Sequence, residues 1–231
     1  MKVRINEKEV LNVSMHTGKM EYIPSISTDK LMNKNCQALM NSANPDCICK
    51  YCYVDRTFKL YKDLEPVLIN NTNILTNRLL TRDEVKKVSK FFSNTTIVRF
   101  ESFGDLNNEI QLRNYVAIAR ACIHTKFALF TKHFHIVLDY FKAGMRFPEN
   151  ITLVLSSPFI DYTLNETFVN IFKKYHKRVI TFTVTKDKQN RGINCGKRKC
   201  VECRNCYDSR FPHNVIELVK WGVNIKKSIY I

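Results

Sequence analysis

Short apolar runs recur along the middle of the chain with the composition of buried β-strands. Each is rich in β-branched or aromatic residues and is bounded by polar residues or turn formers. Four runs have this character: 96–100 (TIVRF), 126–131 (KFALFT), 151–155 (ITLVL) and 179–184 (VITFTV). An earlier run at 22–27 (YIPSIS) predicts one more strand near the N-terminus.

Between the strands, apolar residues recur at the three- and four-residue spacing of helices. Three such faces consist of Leu112, Tyr115, Val116, Ala119, Cys122 and Ile123; of Ile136, Val137, Tyr140 and Phe141; and of Phe168, Ile171, Phe172 and Tyr175. Gly144 is a stop signal for the second helix, and Asn165 can cap the third. Residues 62–93 predict one or two further helices, with Val85, Val88, Phe91 and Phe92 on one face.

The four middle strands begin 30, 25 and 28 residues apart, close to the length of one βα unit. This alternation predicts an α/β fold with a parallel sheet and right-handed crossovers. About five to six strands suffice for a partial β/α barrel but not for a closed eight-stranded one. A flat doubly wound sheet is the alternative, but none of the six glycines forms a phosphate-binding loop. We expect one folded unit, with a partial barrel over residues 1–190 and a cysteine-rich segment, 191–231, packed on it.

Polar residues follow the predicted strands, at the edge where parallel sheets bind ligands. These strand ends are Glu101 to Asp105 (ESFGD), Thr131 to His133, Ser156 with Ser157, and Thr185 with Lys186. Loops are polar in most proteins, so position alone does not identify a site. The run SFGD combines a flexible glycine with an acid and is the best candidate among them.

Eight of the nine cysteines form two groups of four. The N-terminal set is Cys36, Cys47, Cys49 and Cys52, and the C-terminal set is Cys195, Cys200, Cys203 and Cys206. The sequence has no apolar run long enough to span a bilayer and no secretion signal, so we expect the protein in the cytoplasm. Thiols stay reduced there, which favours metal sites over a disulfide framework. Cys122 lies on an apolar helix face and is expected to be a small buried hydrophobe.

The spacing within the C-terminal set favours iron–sulfur chemistry. Cys200, Cys203 and Cys206 follow one another at two-residue gaps, like the cysteine runs that bind 4Fe–4S clusters. Structural zinc more often takes two ligands from each of two separate knuckles, and it is the alternative metal. In the N-terminal set, four thiols would close a metal site, whereas three would leave a position open for a substrate or cofactor. The sequence does not decide which three of the four would bind.

The whole chain has a net charge of +16, and much of this positive charge lies in the last quarter of the sequence. Residues 173–231 contain fifteen Lys or Arg and four Asp or Glu. A basic surface attracts polyanions, and nucleic acid is the first of these. Solvated charged faces in a lysine-rich sequence are the alternative explanation. We expect nucleic acid as a partner of this basic C-terminal region.

The N-terminal set ends in Cys49-Lys50-Tyr51-Cys52, a Cys-x-aromatic-Cys ending after the first strand of a predicted partial barrel. This arrangement resembles the cysteine loop of the radical S-adenosylmethionine enzymes. In the commonest form of that motif a cysteine lies four residues before Cys49, where this chain has Pro45. Cys47 or Cys36 would take its place.

The whole chain is similar to a phage family called gene product eighty-eight. The segments that carry the similarity follow in order between residues 35 and 207: NCQALMNSANPDCICKYCY, VRFESFGDL, ALFTK, LVLSS and CGKRKCVECRNCY. That family looks like a reduced radical S-adenosylmethionine barrel with an additional C-terminal cluster.

The resemblance implies that three cysteines of the N-terminal set hold a 4Fe–4S cluster whose open iron binds S-adenosylmethionine. Ser102, Gly104 and Asp105 would match the segment near the methionine amino group, and Ser156 and Ser157 would lie near the ribose or carboxylate. An electron donor would reduce the cluster, and cleavage of the cofactor would give a 5′-deoxyadenosyl radical that takes hydrogen from the substrate. The C-terminal set would hold an auxiliary cluster.

Three functional hypotheses follow. The leading one is a radical S-adenosylmethionine enzyme acting on a macromolecule such as nucleic acid. The second is a basic nucleic-acid-binding protein without enzymatic activity, in which each cysteine set holds a structural zinc ion. The third is an electron-transfer or redox-sensing protein with clusters but no cofactor site.

Overall fold

A six-stranded, entirely parallel sheet forms the centre of the molecule, in a computed structural model that describes residues 1–196, 198–208 and 214–219. Its strands lie side by side in chain order. They are β3 (Ser25–Ile26), β4 (Ile97–Phe100), β5 (Lys126–Thr131), β6 (Ile151–Ser156), β7 (Val179–Thr185) and β8 (Asn214–Leu218). A small antiparallel pair, β1 (Lys2–Arg4) and β2 (Val10–Asn12), precedes the sheet.

Helices connect the parallel strands. They are α1 (Lys34–Met40), α2 (Tyr53–Leu60), α3 (Leu64–Asn77), α4 (Arg82–Phe91), α5 (Glu109–Ala121), α6 (Phe134–Lys142), α7 (Glu166–Lys173) and α8 (Cys200–Cys203). Two 3-10 turns, Gly18–Met20 and Ile48–Tyr51, lie beside the two cysteine sets. The first four of these helices all fall between β3 and β4, so the N-terminal cysteine set belongs to one long crossover.

The two faces of the sheet bury different partners because side chains alternate along each strand. Val98, Phe127 and Leu153 point to the face that carries the main core, where they pack with residues of α3 to α7. Ile97, Ala128 and Phe130 are each adjacent in sequence to a residue of the main core, so their side chains point to the opposite face and belong to a smaller core there. Tyr207 and three cysteines of the C-terminal set cover that smaller core. The C-terminal segment therefore packs on the sheet face that the helices leave free.

The predicted α/β class is confirmed, with six parallel strands. The middle strands fall where the sequence places them; the run 126–131 matches β5 residue for residue. The run at 22–27 was too long, because only Ser25–Ile26 pairs with β4 and Tyr22 has a left-handed backbone (φ 66°) that no strand adopts. The sixth strand, β8, was not predicted and adds residues of the cysteine-rich C-terminal segment to the edge of the sheet.

The predicted helical faces are largely buried, with two corrections. Ile123 is 72% exposed because α5 ends at Ala121 and the helical periodicity does not continue past it. Ile171 is 36% exposed, while Val169 is buried in its place, so the buried face of α7 is rotated from the predicted one. Asn165 caps α7 as predicted, with its side chain accepting a hydrogen bond from Phe168 N at 2.8 Å.

Three further observations concern the sequence predictions. Cys122 is buried against the main core, as predicted. Within the described residues, no helix is long and apolar enough to cross a membrane. The basic C-terminal region lies partly outside the described residues, which omit Lys197, 209–213 and 220–231.

Candidate active site

A cavity opens at the carboxyl edge of the sheet, next to the ends of β3, β4 and β5. Its volume is about 100 Å³. The lining residues are Lys30, Cys36, Leu39, Met40, Cys49, Cys52, Tyr53, Val54, Arg99, Glu101, Ser102, Phe103, Gly104, Asp105, Phe130 and Lys132. Three cysteines of the N-terminal set and the three predicted cofactor residues of the SFGD run thus share one cavity.

Cys36 reaches the cavity from the first turn of α1. That turn is capped by Asn33, whose Oδ1 accepts hydrogen bonds from Asn35 N at 3.0 Å and Cys36 N at 3.1 Å. The amide nitrogen of the same Asn33 donates to the carbonyls of Asp105 and Leu106, each at 3.0 Å. One fully buried asparagine therefore fixes the Cys36 helix to the end of the SFGD run.

Cys49 and Cys52 come from the 3-10 turn Ile48–Tyr51 and the residue that follows it. This turn is held against the end of β6, because Ile48 N donates to the carbonyl of Pro158 at 2.9 Å and Cys47 forms a β-bridge with Phe159. The short Cys-x-aromatic-Cys spacing then places both thiols on the same cavity wall as Cys36.

Cys47 differs from the other three members of its set. It is 0% exposed, it is absent from the cavity wall, and its Sγ donates a hydrogen bond to the Leu39 carbonyl at 3.2 Å. The sequence left open which three thiols act together. The structure brings together Cys36, Cys49 and Cys52, and it gives Cys47 a packing position behind them.

The cavity has cationic side chains beside the thiols. Burial raises the pKa of Cys49 to about 11, while the nearby Lys132 ammonium opposes that rise. Burial lowers the pKa of Lys132, but its attraction to Cys49 and Asp105 is stronger and brings that pKa to about 12. At pH 7 the Cys49 thiol therefore carries a proton when no metal is bound, and a bound metal would have to displace that proton. Lys132 is positioned to offset the negative charge that results.

The ESFGD run owes its shape to Glu101, a buried residue in the left-handed region (φ 59°). Its carboxyl group accepts hydrogen bonds from Thr28 N at 3.2 Å, from Gln111 Nε2 at 2.6 Å and from the Tyr115 hydroxyl. Burial is the main reason that the pKa of Glu101 rises to about 8. A strained backbone held by this many partners is common at functional sites.

Gly104 and Asp105 continue the run along the cavity wall. A Cβ on Gly104 would lie 2.4 Å from the Thr28 carbonyl oxygen and 2.9 Å from Glu101 Oε2, so only glycine fits there. The Asp105 carboxylate accepts from Lys132 N at 2.9 Å and from Leu106 N at 2.8 Å. Asp105 therefore links the ends of β4 and β5.

Ser102 is the centre of a group of hydroxyl side chains. Its Oγ lies 2.7 Å from Ser25 Oγ, 3.0 Å from Ser27 Oγ and 3.1 Å from His16 Nε2. Burial, followed by the charge of Arg99, lowers the pKa of His16 to about 4, so this imidazole is neutral at pH 7. The Ser102 hydroxyl is thus held in one orientation by three side chains from the N-terminal part of the chain.

Ser156 and Ser157 lie elsewhere. Both are buried at the end of β6, and neither lines the cavity. Ser157 Oγ donates to the Phe159 carbonyl at 2.9 Å, and its backbone N–H donates to Phe182 at 2.8 Å. These contacts shape the chain that holds the 3-10 turn of the N-terminal set.

The C-terminal set gathers on the opposite face of the sheet from the helices. Cys195 N donates to the Ile216 carbonyl in β8 at 3.0 Å, and Lys19 Nζ lies 3.5 Å from Cys195 Sγ. Burial raises the pKa of Cys206 to about 12, and the neighbouring thiols of Cys195 and Cys200 add to that rise. Cysteines separated in sequence are therefore neighbours in space.

Arg99 lies between the two cysteine sets. It lines the cavity, its guanidinium stacks 3.8 Å from the centre of the Phe130 ring, and its charge lowers the pKa of Cys200 and Cys206 against the larger effect of burial. Nε donates to the Glu101 carbonyl at 3.2 Å. The half-buried Arg99 guanidinium is thus near both sets.

The thiols are not arranged around a single ion. All nine cysteines are free. Among the described residues, no three His, Cys, Asp or Glu side chains stand where they could hold one metal ion. Ligands of one zinc ion must all lie about 2.3 Å from it, whereas ligands of a cluster bind different irons and need not meet at one point.

The model of one protein family, described as Gene product 88, matches residues 4–221, nearly the whole chain. The chain belongs to the gene product 88 family. The predicted assignment to that phage family is confirmed. No curated protein matches the sequence.

Three polar residues that line the cavity of this gene product 88 family member were not identified from the sequence: Lys30, Tyr53 and Arg99. Arg99 carried a signal, because a lone arginine inside the apolar run TIVRF must point to one face of the sheet and needs a partner there. Tyr53 could have been suspected because it directly follows Cys52. Lys30 could not, because no sequence pattern reveals its ion pair with Asp55.

Proposed function

We propose that this protein is an iron–sulfur enzyme of the radical S-adenosylmethionine type, built on a partial β/α barrel. Cys36, Cys49 and Cys52 would hold its catalytic 4Fe–4S cluster, and the C-terminal set would hold an auxiliary one. When bound, the reduced cluster supplies the electron that cleaves the sulfonium of S-adenosylmethionine. The observation that carries the proposal is the convergence of these three thiols on one cavity with the SFGD run.

The donor set suits this cofactor. Thiolates are the usual ligands of 4Fe–4S clusters, and three of them leave one iron free for another ligand. Cys47, the fourth thiol, is occupied by its hydrogen bond to Leu39 and lies off the cavity wall. Ser102, Gly104 and Asp105 are the proposed neighbours of S-adenosylmethionine; Ser156 and Ser157 would act by shaping the loop that carries Cys49.

The chain's own residues would control charge and water. Lys132 and Arg99 offset the negative charge of three thiolates. Leu39, Met40 and Phe130 line the cavity and keep water from reactive species, which radical chemistry requires. The cavity, about 100 Å³, is smaller than the roughly 300–1,000 Å³ that encloses a drug-sized ligand. Cofactor and substrate together would extend through its opening, as a macromolecular substrate would require.

Release of 5′-deoxyadenosine from S-adenosylmethionine tests the proposal. Protein purified without oxygen and reduced with dithionite should release it, and so should Cys122→Ala, which removes a thiol outside both sets. Cys49→Ala should release none. Iron-loaded wild-type protein that cleaves no cofactor would contradict the proposal. Colourless, zinc-loaded protein from the same preparation would support the zinc hypothesis in its place.

A further inference from the structure

We infer that α2 and the residues flanking it form a binding surface for single-stranded nucleic acid at the mouth of the cavity. The inference rests on the proposed function, because it names the substrate class that this cavity would serve. It concerns residues 50–62 (KYCYVDRTFKLYK), which contain four cations, four aromatic residues and one acid.

The cationic side chains of this segment are exposed to solvent and could contact phosphate groups. Lys50, Arg56, Lys59 and Lys62 all lie at the surface. The single acid, Asp55, already pairs with the buried Lys30. Within the described part of the chain, no carboxylate lies within ion-pair distance of Arg56, Lys59 or Lys62. The segment therefore has a net positive charge, and phosphates could bind its unpaired cations.

Large apolar side chains lie among these cations without being buried. Tyr53, Leu60 and Tyr61 are 59%, 66% and 61% exposed. Tyr53, Arg56 and Leu60 are spaced i, i+3 and i+7, so they share one face of α2. Only Val54 of this helix is buried. Exposed rings between cations are typical of proteins that stack bases while binding the backbone.

The surface is continuous with the cavity through Tyr53, which lines the cavity and is also exposed. A strand bound along α2 would thus pass the cavity opening. Stacking on tyrosine requires unpaired bases, and enzymes that act on a base must take it out of a duplex. Single-stranded nucleic acid therefore fits this surface better than a duplex does.

Anionic membrane is the other polyanion that basic and aromatic residues can bind. A helix lying in a membrane interface needs a broad apolar face. In α2 the exposed apolar positions are interrupted by Arg56 and Lys59, and its eight residues span only two turns. The surface therefore favours a nucleic-acid strand.

Fluorescence anisotropy with labelled single-stranded DNA and RNA of about 16 nucleotides tests the inference, since single-strand sites span roughly 4–16 nucleotides. The probe variant is Arg56→Ala/Lys59→Ala/Lys62→Ala. Its matched control, Arg82→Ala/Lys86→Ala/Lys90→Ala, removes one arginine and two lysines from the exposed side of α4. The probe variant should bind at least about tenfold more weakly, with a salt dependence reduced by about 2 in the slope of log K against log salt. The control should bind like wild type.

A second pair of variants tests stacking. Tyr61→Ala should weaken binding by about five- to 150-fold, the cost of one lost base stack, and Tyr61→Phe should restore it. Wild-type protein that binds neither polymer at low salt, or that binds only vesicles of phosphatidylglycerol and phosphatidylcholine, would overturn the inference. Equal loss in the α2 and α4 triple variants would do the same. Iron-loaded protein could bind nucleic acid through α2 and yet release no deoxyadenosine. That result would support the binding surface and contradict the proposed function.

Discussion

The four cysteines of the N-terminal set have similar neighbours in sequence but different positions in the structure. Cys36, Cys49 and Cys52 line the cavity, whereas Cys47 is 0% exposed and bonded to the Leu39 carbonyl. Spacing alone could not separate them, because the commonest motif would use position 45, which is Pro45. What separates Cys47 from the other three cysteines is the burial of its side chain and its position off the cavity wall.

Because Cys47 lies off the cavity wall, its alanine variant should bind more iron than the alanine variants of the other three cysteines. Cys47→Ala should keep the iron of wild-type protein after anaerobic purification, because it removes only a buried hydrogen bond. Cys36→Ala, Cys49→Ala and Cys52→Ala should each lose about half the iron if two cubanes are present. Metal analysis by mass spectrometry measures this. Loss of iron in Cys47→Ala equal to that in Cys49→Ala would show that the fourth thiol binds.

Glu101 predicts a dependence of stability on pH. Its pKa in the folded protein is raised from 4.5 to about 8, mainly by burial, so the folded state binds a proton more tightly than the unfolded chain does. The stability this contributes is complete below pH 4.5 and is lost as the pH rises through about 8. Urea unfolding at pH 5 and pH 8.5 should show a smaller difference for Glu101→Gln than for wild type. An equal difference in both proteins would contradict this assignment.

At the scale of elements, asparagine side chains cap α1, α5 and α7, and the caps of α1 and α7 differ in what else they contact. Asn33 caps α1 and also bonds to the SFGD run, while Asn165 caps α7, remote from the cavity. Both substitutions to alanine should cost about 1 kcal/mol of unfolding free energy through the lost cap. Asn33→Ala should cost more, because its bonds to Asp105 and Leu106 are also lost.

The iron content separates these two variants. Asn33→Ala should lower the iron bound by the N-terminal set, since it releases the turn that carries Cys36. Asn165→Ala should leave iron unchanged. Urea unfolding and metal analysis of the two proteins measure both effects. Wild-type iron in Asn33→Ala would show that α1 needs no link to the SFGD run.

Local sequence predicts elements well where the local signal is strong. The run KFALFT is β5, and Asn165 starts α7, because apolar alternation and capping act over a few residues. Strand β8 escaped prediction because Asn214–Leu218 is short, mixed in polarity and adjacent to the cysteine run. It is a strand because it pairs with β7. That pairing depends on residues about 30 positions away, which no local pattern contains.

At the scale of the whole molecule, the two cysteine sets lie near one sheet face and share Arg99. The sequence predicted two separate cysteine sites but not that both lie near Arg99. Arg99 contacts Phe130 and approaches the C-terminal thiols only when the strands of the sheet are paired. The candidate cavity was predictable as a place, at the ends of parallel strands, since topology fixes that edge. Its charge balance depends on Lys30, Lys132 and Arg99 and was not predictable.

The shared cation predicts coupled redox behaviour. A cluster gains negative charge on reduction, so removing a nearby cation should lower its reduction potential. Arg99→Gln should therefore lower the potentials of both proposed clusters in an anaerobic redox titration. Arg113→Gln, an exposed residue paired with Glu109 on α5, should leave both unchanged. A shift in neither potential would show that Arg99 lies outside the electrostatic reach of the clusters.

We propose that the thiols of Cys36, Cys49 and Cys52 hold an open 4Fe–4S cluster that binds S-adenosylmethionine directly. Electron paramagnetic resonance of the reduced, anaerobic protein, recorded with and without that cofactor, tests it most directly. We expect the signal of this N-terminal cluster to change when S-adenosylmethionine is added and to be absent from Cys49→Ala. A cluster signal that is identical with and without the cofactor would contradict it.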